Sequence, residues 1–301
     1  MPNDGGVVVA MNFSKEYPFS SNFLSLNAGR LHYLDEGSKD APVLLMVHGN
    51  PTWSFYYRKL INKFRATHRV IAVDHIGCGL SDKPQDFEYT LENHINHVEK
   101  LVEQLQLKDI TLVVHDWGGA IGMGYAVRHP ENVSQFVVFN TAAFPSKRIP
   151  FSINICRIPG FGALAIRGLN AFARAALIRA AKKKDHLTPA VRAGYLNPYN
   201  SWTNRVAHLR FVQDIPMSQS HRSYGALKQV ADGLSQFQDK PMLIVWGAHD
   251  FCFNDEFLDE WKSRFPAATV HYVEDAGHYV VEDAPEQIIS WMETFFDGRA
   301  N

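Results

Sequence analysis

One stretch of the chain combines an apolar strand pattern, a sharp turn and a reactive side chain. It runs from Leu112 to Gly124 and reads LVVHDWGGAIGMG. The apolar residues before the turn predict a strand, the glycines a tight turn, and the small residues after it a closely packed helix. A strand–turn–helix elbow of this kind holds a nucleophile at a strained, exposed tip, and here the residue at the tip is Asp116.

An aspartate at this tip predicts a particular kind of chemistry. A serine would need a base to activate it, whereas the carboxylate of Asp116 is ionised at neutral pH. A carboxylate oxygen can displace a leaving group from a saturated carbon or open a strained ring, which joins protein and substrate in an ester. Attack of water on that ester then needs a base and an oxyanion hole. The alternative role for an aspartate before a helix is to cap that helix.

Two further residues follow in the order nucleophile, acid, histidine. His278 lies in EDAGHYVVED, after the last strand-like run, and is the predicted base. Asp250 ends LIVWGAHD, at the carboxyl end of the preceding strand, where it can hold the imidazole in the required tautomer. Asp255 is a nearby rival for this role.

The stretch MVHGNPTWSFYYR adds hydrogen-bond donors. Backbone N–H groups of Asn50 and Trp117 are predicted to form the oxyanion hole. The side chains of the same two residues offer amide and indole donors, which can hold a leaving anion without presenting a repelling charge. A packed aromatic ring and a turn asparagine are the alternative interpretation.

A sheet must place these residues at one edge. Helical stretches such as TLENHINHVEKLVEQLQL alternate with strand-like runs, which lie in GRLHYLDEG, PVLLMVHGNP, HRVIAVDHIGCG, the elbow, VSQFVVFNT, PMLIVWGAHD and ATVHYVEDAGH. This alternation predicts an α/β fold with a mostly parallel, doubly wound sheet covered on both faces. Residues 1–144 and 218–301 are predicted to form this core, and the helical insert 145–217 is predicted to form a cap over the carboxyl ends of the strands.

The predicted cap is basic. Twelve lysines and arginines lie in residues 145–217, and the acidic residues there are Asp185 and Asp214. Residues 161–184, FGALAIRGLNAFARAALIRAAKKK, predict an apolar and cationic helix. A solvated helix face is one interpretation. Contact with an anionic membrane surface, an acidic partner or a second copy of the chain is the other.

The composition of the chain excludes several other classes of protein. With 301 residues and 46% hydrophobic content, the chain can bury a large core, and its net charge of −1 is unlike that of a dedicated nucleic-acid binder. Cys78, Cys156 and Cys252 are far apart, so we expect free thiols and a cytoplasmic location. No metal-ligand cluster or dinucleotide-binding glycine signature predicts a cofactor. The first ten residues, MPNDGGVVVA, are not typical of an export signal.

The motifs HGNPTWSFYYR, DHIGCGLSDKP, HDWGGAIG, WGAHD and DAGHYVVED, taken together, resemble those of the haloalkane dehalogenases in the α/β-hydrolase superfamily. The resemblance spans nearly the whole core. It implies the α/β-hydrolase fold and hydrolysis of carbon–halogen bonds to an alcohol and a halide ion. It further implies Asp116 as nucleophile, His278 as base and Asp250 as acid. Asn50 and Trp117 would be the halide stabilisers.

One branch of that family takes its acid from a glutamate after the strand that follows the elbow. This chain has Asn140 in that region, so it resembles the third dehalogenase subfamily, with Asp250 as the acid. It departs from the wider superfamily at Val114, where a glycine often precedes the nucleophile.

Other motifs resemble relatives with different chemistry. FNTAAFPSKRIP, NPYNSWTNRVAHLRFVQDIP and HDFCFND look like the β-lactone decarboxylases of long-chain olefin biosynthesis, which use the same nucleophile on a strained ring. Epoxide hydrolases share HDWGG and use cap tyrosines as proton donors, a role open to Tyr195, Tyr199 and Tyr224. A ligand-binding protein without turnover is the non-enzymatic alternative. The dehalogenase and decarboxylase hypotheses both predict a small hydrophobic substrate.

Overall fold

One sheet organises the chain. The computed structural model describes residues 13–298, which contain an eight-stranded sheet in the order β1-β2-β4-β3-β5-β6-β7-β8. The strands are β1 (Ser21–Leu26), β2 (Gly29–Glu36), β3 (Val43–Val47), β4 (Arg69–Val73), β5 (Ile110–Asp116), β6 (Val133–Thr141), β7 (Met242–Gly247) and β8 (Thr269–Val273). The pairs β1–β2 and β2–β4 are antiparallel, and all other pairs are parallel. The predicted mostly parallel sheet is therefore confirmed, with β1 as an edge strand that the sequence patterns did not predict.

The centre of the sheet is buried on both faces, and the central strand β3 is apolar at every position. All five residues of β3 are buried. Leu45 and Val47 join the core cluster on one face, and Leu44 and Met46 join the cluster on the other. Each fully buried aliphatic side chain of this kind contributes roughly 1.5–3 kcal/mol to folding. Chain order reverses between β3 and β5, so the loops that follow these two strands meet at the crevice where ligands bind in such sheets.

Helices cover both faces of the sheet. They are α1 (Arg58–Phe64), α2 (Leu91–Leu105), α3 (Trp117–Arg128), α4 (Phe151–Asn154), α5 (Ala171–Arg179), α6 (Pro189–Leu196), α7 (Val206–Gln213), α8 (Tyr224–Gly233), α9 (Asp255–Arg264), α10 (Val280–Asp283) and α11 (Pro285–Asp297). At the start of the longest, α2, the hydroxyl of Thr90 accepts the N–H of Asn93. Gln106, directly after its last residue, adopts a left-handed conformation that terminates the helix.

The regular structure in residues 145–217 consists of short helices, α4 to α7 with intervening turns. The prediction of one helix over residues 161–184 is wrong. A π-helical turn (Ala163–Gly168) and α5 take its place, and Asn170 separates them with a φ of 53°. An asparagine tolerates this left-handed conformation better than most residues, and Nδ2 of Asn170 bonds the carbonyl of Tyr199 at 3.4 Å.

Hydrogen bonds join these helices to the loops at the carboxyl ends of the strands. The indole N–H of Trp53 donates to the carbonyl of Gly194 at 3.0 Å. The backbone N–H of Tyr279 donates to the carbonyl of Ala180 at 2.8 Å. The helical segment therefore lies above the sheet edge that carries the predicted site.

No helix within residues 13–298 is long and apolar enough to cross a membrane. The first ten residues, on which the prediction about an export signal rests, lie outside the described range.

Candidate active site

The elbow forms where β5 meets α3. Asp116 ends β5 with a φ of 52° and a ψ of −127°, a conformation that costs a residue with a side chain roughly 1–3 kcal/mol. Gly118 permits the close approach, because a Cβ there would overlap the carbonyl oxygen of Val47. The hydroxyl of Thr141 donates to the backbone carbonyl of Asp116 and ties the elbow to β6. The side chain of Asp116 makes no capping hydrogen bond to α3, so the alternative role as a helix cap does not apply.

The carboxylate of Asp116 is buried and held by backbone donors. Its Oδ1 accepts the N–H of Asn50 at 2.6 Å. Gly49 makes this contact possible, because a Cβ at that position would overlap the same oxygen. Burial raises the pKa of Asp116; the charge of His278 and the N–H groups of the two predicted oxyanion-hole residues lower it in part. Both predicted donors therefore act on the carboxyl group that would become an ester.

His278 lies between two carboxylates. Its Nδ1 is 2.7 Å from Oδ2 of Asp250, and its Nε2 is 3.6 Å from Oδ2 of Asp116. Burial by itself lowers the pKa of His278, but the charge and hydrogen bond of Asp250 and the charge of Asp116 outweigh burial and raise it. Oδ1 of Asp250 accepts the N–H groups of Cys252 and Phe253 at 2.6 and 3.0 Å, which fixes its other oxygen toward the imidazole.

The rival acids lie elsewhere. Asp255 begins α9, and its Oδ1 accepts the hydroxyl of Tyr272 at 2.9 Å. Asn140 lies in the region where one branch of the dehalogenases has its acid. Its side-chain oxygen accepts the N–H of Gly247 at 2.8 Å, and its NH₂ group donates to the carbonyl of Gly247 at 3.2 Å. Of the acid candidates, the structure brings Asp250 to the imidazole and leaves Asp255 near the surface.

Asn50 and Trp117 both lie beside Asp116, and their side chains carry hydrogen-bond donors. Nδ2 of Asn50 donates one hydrogen to the carbonyl of His208 at 3.3 Å and has a second hydrogen to offer. The indole of Trp117 packs against Phe211 with ring centroids 5.3 Å apart. Both side chains line the cavity that begins at Asp116.

That cavity has a volume of about 360 Å³ and an overwhelmingly apolar wall. It runs from Asp116 and His278 between the helices of residues 145–217, past side chains such as Phe144, Ile153 and Phe161. Such a wall suits an alkyl chain rather than a polar substrate. Within residues 13–298, no group of three metal-ligating side chains is arranged to hold a metal ion.

Comparison with known proteins identifies the family and the fold. A model of the α/β-hydrolase fold family matches residues 42–285. The chain belongs to the α/β-hydrolase family. The solved structure of haloalkane dehalogenase DatA from Agrobacterium tumefaciens superposes on it with a TM-score of 0.82, at 26% identity, covering 92% of this chain and 95% of that one. The expected fold is confirmed.

Curated relatives of this α/β-hydrolase include decarboxylases and dehalogenases. A cis-3-alkyl-4-alkyloxetan-2-one decarboxylase from Shewanella oneidensis is 46% identical over 92% of this chain and 88% of the relative. One from Xanthomonas campestris is 38% identical over 93% of this chain and 97% of the relative. A haloalkane dehalogenase from Mycolicibacterium paratuberculosis is 33% identical over 93% and 94%. The predicted resemblance to both groups, and the prediction of an enzyme of the hydrolase superfamily, are confirmed.

Two buried histidines support the site of this α/β-hydrolase, and the sequence analysis missed both. Nε2 of His115 lies 2.8 Å from the backbone carbonyl of His278, and its ring stacks on Tyr56. His208, in α7, supplies the carbonyl that Asn50 binds. A signal for His115 was available, because it directly precedes Asp116 and neighbours in a strand point to opposite sides of the sheet. The pairing of Asn50 with α7 depends on tertiary packing and has no local signal.

The three tyrosines predicted as possible proton donors for epoxide opening do not line the cavity. The hydroxyl of Tyr195 donates to Glu282 at 2.5 Å. The hydroxyl of Tyr199 accepts the N–H of Gly79 at 2.9 Å. Tyr224 begins α8, and none of the three lines the cavity. The epoxide hypothesis therefore lacks its proton donors in this site.

Proposed function

We propose that this chain decarboxylates cis-dialkyl β-lactones to olefins and carbon dioxide. The observation that carries the proposal is the 46% identity, over 92% of the chain, to a protein named as a decarboxylase of such lactones. The haloalkane dehalogenase from Mycolicibacterium paratuberculosis has a lower sequence identity to this chain, 33%. The motifs of the core resemble those of the dehalogenases, but similarity over the whole chain is greater to the decarboxylase. The apolar cavity suits the alkyl chains of such a lactone.

In the first step, the carboxylate of Asp116 attacks the saturated β-carbon of the lactone. The bond from this carbon to the ring oxygen breaks, and ring strain assists the displacement. The product is an ester between Asp116 and the β-carbon, with a free carboxylate on the α-carbon. The side-chain N–H groups of Asn50 and Trp117, which line the cavity beside Asp116, stabilise this new carboxylate.

In the second step, the bond between the α-carbon and the new carboxylate breaks. Its electron pair forms the double bond, the bond from the β-carbon to Asp116 breaks, and carbon dioxide leaves. The step regenerates the Asp116 carboxylate and consumes neither water nor a proton. Inversion in the first step followed by anti elimination in the second converts a cis lactone into a cis olefin.

His278 acts in this sequence as a cation rather than as a base. Its raised pKa, which Asp250 and Asp116 maintain against burial, favours the imidazolium. The positive charge balances the two carboxylates that exist between the steps. Asp250 holds the imidazolium in place through its 2.7 Å hydrogen bond.

Hydrolytic dehalogenation is the second candidate, favoured by the same donors and by the similarity to dehalogenase structures. Here Asp116 displaces a halide ion, which Asn50 and Trp117 bind. His278 then takes a proton from a water molecule as that water attacks Cγ of the ester. The N–H groups of Asn50 and Trp117 stabilise the oxyanion. As the tetrahedral intermediate collapses, the imidazolium of His278 protonates the departing alkoxide, the alcohol leaves, and the proton that remains on the Asp116 carboxyl group is lost to solvent.

The test supplies the purified chain with a long-chain cis-dialkyl β-lactone and, separately, with bromo- and iodoalkanes. We expect olefin and carbon dioxide from the lactone, at a rate that Asp116→Asn abolishes. Halide release without lactone turnover would replace the decarboxylase with the dehalogenase. Failure of both reactions would reject Asp116 as a nucleophile toward either substrate.

We further propose a cytoplasmic location, which the three thiols support. Cys78, Cys156 and Cys252 are all free, as is typical of proteins in a reducing compartment. Measuring the protein in cytoplasmic and periplasmic fractions of its host tests this. Recovery in the periplasmic fraction would contradict it.

A further inference from the structure

Large apolar side chains are exposed mainly on one part of the molecule. Of the nine exposed large hydrophobic residues among those described, seven lie between residues 151 and 202. Five of them are more than half exposed, namely Phe151, Ile158, Leu164, Leu169 and Ile178. Exposed apolar side chains gathered in one region mark a contact surface more often than those scattered singly. We call the surface of residues 145–205 that carries these side chains the cap face.

Contacts show that these side chains are neighbours. Leu164 and Trp202 both approach the backbone at Gly168, and the guanidinium of Arg167 lies 4.8 Å from the ring centroid of Trp202. At the other end, Arg179 donates to the hydroxyl of Ser152 at 3.2 Å, which brings α5 to α4. Successive segments from α4 through the π-helical turn to α5 also pack against one another, so the exposed residues lie on adjacent elements of the structure.

Charge on the chain is strongly uneven. Residues 145–217 carry a formal charge of +10, against −11 for the rest of the chain. Within residues 13–298, the ion pairs that involve the twelve cations of this segment are Arg148–Glu256 and Lys183–Asp275. Arg174 and Lys182 are exposed beside the apolar side chains, and no carboxylate among the described residues neutralises them. Their charge is available to an anionic partner.

We propose that the cap face docks on an anionic lipid bilayer. Its aliphatic and aromatic side chains can enter the boundary between headgroups and acyl chains, and its cations can reach the lipid phosphates. The charge asymmetry turns this face toward such a surface and the acidic core away from it. The proposal does not depend on which reaction Asp116 performs.

The cavity favours lipid over a protein as the occupant. Phe161 and Arg179 line the cavity, and both are exposed on the cap face. An apolar passage therefore leads from this face to Asp116. A bilayer on this face would deliver an alkyl substrate without passage through water, whereas a protein bound there would cover the passage.

The test measures binding of the full chain to vesicles by co-sedimentation. One vesicle contains equal parts of phosphatidylglycerol and phosphatidylcholine, and the other contains phosphatidylcholine alone. We expect binding to the anionic vesicle that weakens with salt, and little binding to the neutral one. Replacing two cap-face cations, Arg174→Glu with Lys182→Glu, should weaken binding roughly 25-fold or more, because each cation near such a surface contributes about fivefold.

Two matched variants separate the cap face from charge in general. Lys100→Glu with Lys108→Glu makes the same charge change on exposed core residues and should leave binding within about twofold of the wild type. Leu164→Ser with Ile178→Ser should weaken binding at unchanged charge. Thermal unfolding shows that each variant is folded. Equal loss in both charge variants, or no binding to anionic vesicles, overturns the proposal. A different outcome is that the wild type forms oligomers in light scattering and does not bind vesicles, while Leu164→Ser with Ile178→Ser is monomeric. That result would overturn the proposal and make the cap face an interface between copies of the chain.

Discussion

Nε2 of His278 lies 3.6 Å from Oδ2 of Asp116, within the range of strong electrostatic attraction but beyond a hydrogen bond. The imidazole can therefore serve either as a cation beside carboxylates or as a base for a water molecule that enters next to Asp116. Which role it has depends on whether the ester is consumed by fragmentation or by hydrolysis. The two candidate reactions consequently make different demands on the same residue.

Replacing His278 with glutamine tests this difference. Glutamine keeps an amide donor for Asp250 but provides no base. Lactone decarboxylation needs no base but loses the positive charge that balances the two carboxylates, so its rate should fall, although by less than the rate of dehalogenation. Any dehalogenation should fall about a thousandfold, because general-base assistance is lost.

The measurement combines olefin and halide assays with intact-protein mass spectrometry. With a haloalkane, His278→Gln should accumulate a protein whose mass is increased by the alkyl group, and Asp116→Asn should show no adduct. A decarboxylation rate that falls as steeply as dehalogenation would contradict fragmentation and make water part of both reactions.

Replacing Asp250 with asparagine tests whether it is the acid that orients His278, and Asp255→Asn is the matched control. The asparagine oxygen can still accept the N–H groups of Cys252 and Phe253. Its NH₂ group then faces Nδ1 of His278 and forces the proton onto Nε2, the wrong tautomer for a base. Water-dependent turnover should fall by about 10⁴. The control should change it less than twofold, and equal losses in the two variants would show that the contact in the structure does not govern the imidazole.

The order and position of the core motifs were sufficient to predict that Asp116, Asp250 and His278 lie together, as the structure places them. Asp116 and Asp250 each follow a strand-like run, and the carboxyl ends of parallel strands meet at one edge of a sheet. Those two facts predict that they lie close together without any knowledge of the loops. The choice between Asp250 and Asp255 was open, because both follow β7 and the turn between them decides which one faces His278.

The region from residue 145 to 217 was harder to predict because its contacts are tertiary. Periodicity predicts one helix over residues 161–184. In the structure this helix is interrupted at Asn170, which has a left-handed backbone and whose buried amide donates to the carbonyl of Tyr199. The sequence leaves the hydroxyl of Tyr195 open as a proton donor for a substrate. In the structure it donates instead to the buried Glu282, which is 87 positions away in the chain. Local patterns carry no information about such partners.

Trp117→Phe tests the leaving-group donors. Phenylalanine keeps the contact with Phe211 and the apolar wall but removes the indole N–H, the donor we assign to the leaving anion. The rate of the first chemical step should fall by about 10²–10³, the usual effect of losing one such donor. Single-turnover kinetics of ester formation measure this step, and an Ala120→Gly variant, which alters the cavity wall without removing a donor, is the control. A change in KM with an unaltered first step would reduce Trp117 to a packing residue.

Buried histidines should make the protein sensitive to mild acid. Burial lowers the pKa of His97 to about 4, while an unfolded histidine has a pKa of about 6.5. Between these values the unfolded chain binds a proton that the folded chain does not, so the contribution of His97 to stability is complete above pH 6.5 and is lost as the pH falls. His97→Gln should therefore reduce the drop in unfolding free energy between pH 8 and pH 5 by about 2 kcal/mol. Urea unfolding at the two pH values measures this drop, and replacement of the exposed His249 by glutamine is the control. An unchanged drop in His97→Gln would show that the imidazole of His97 is not held neutral in the fold.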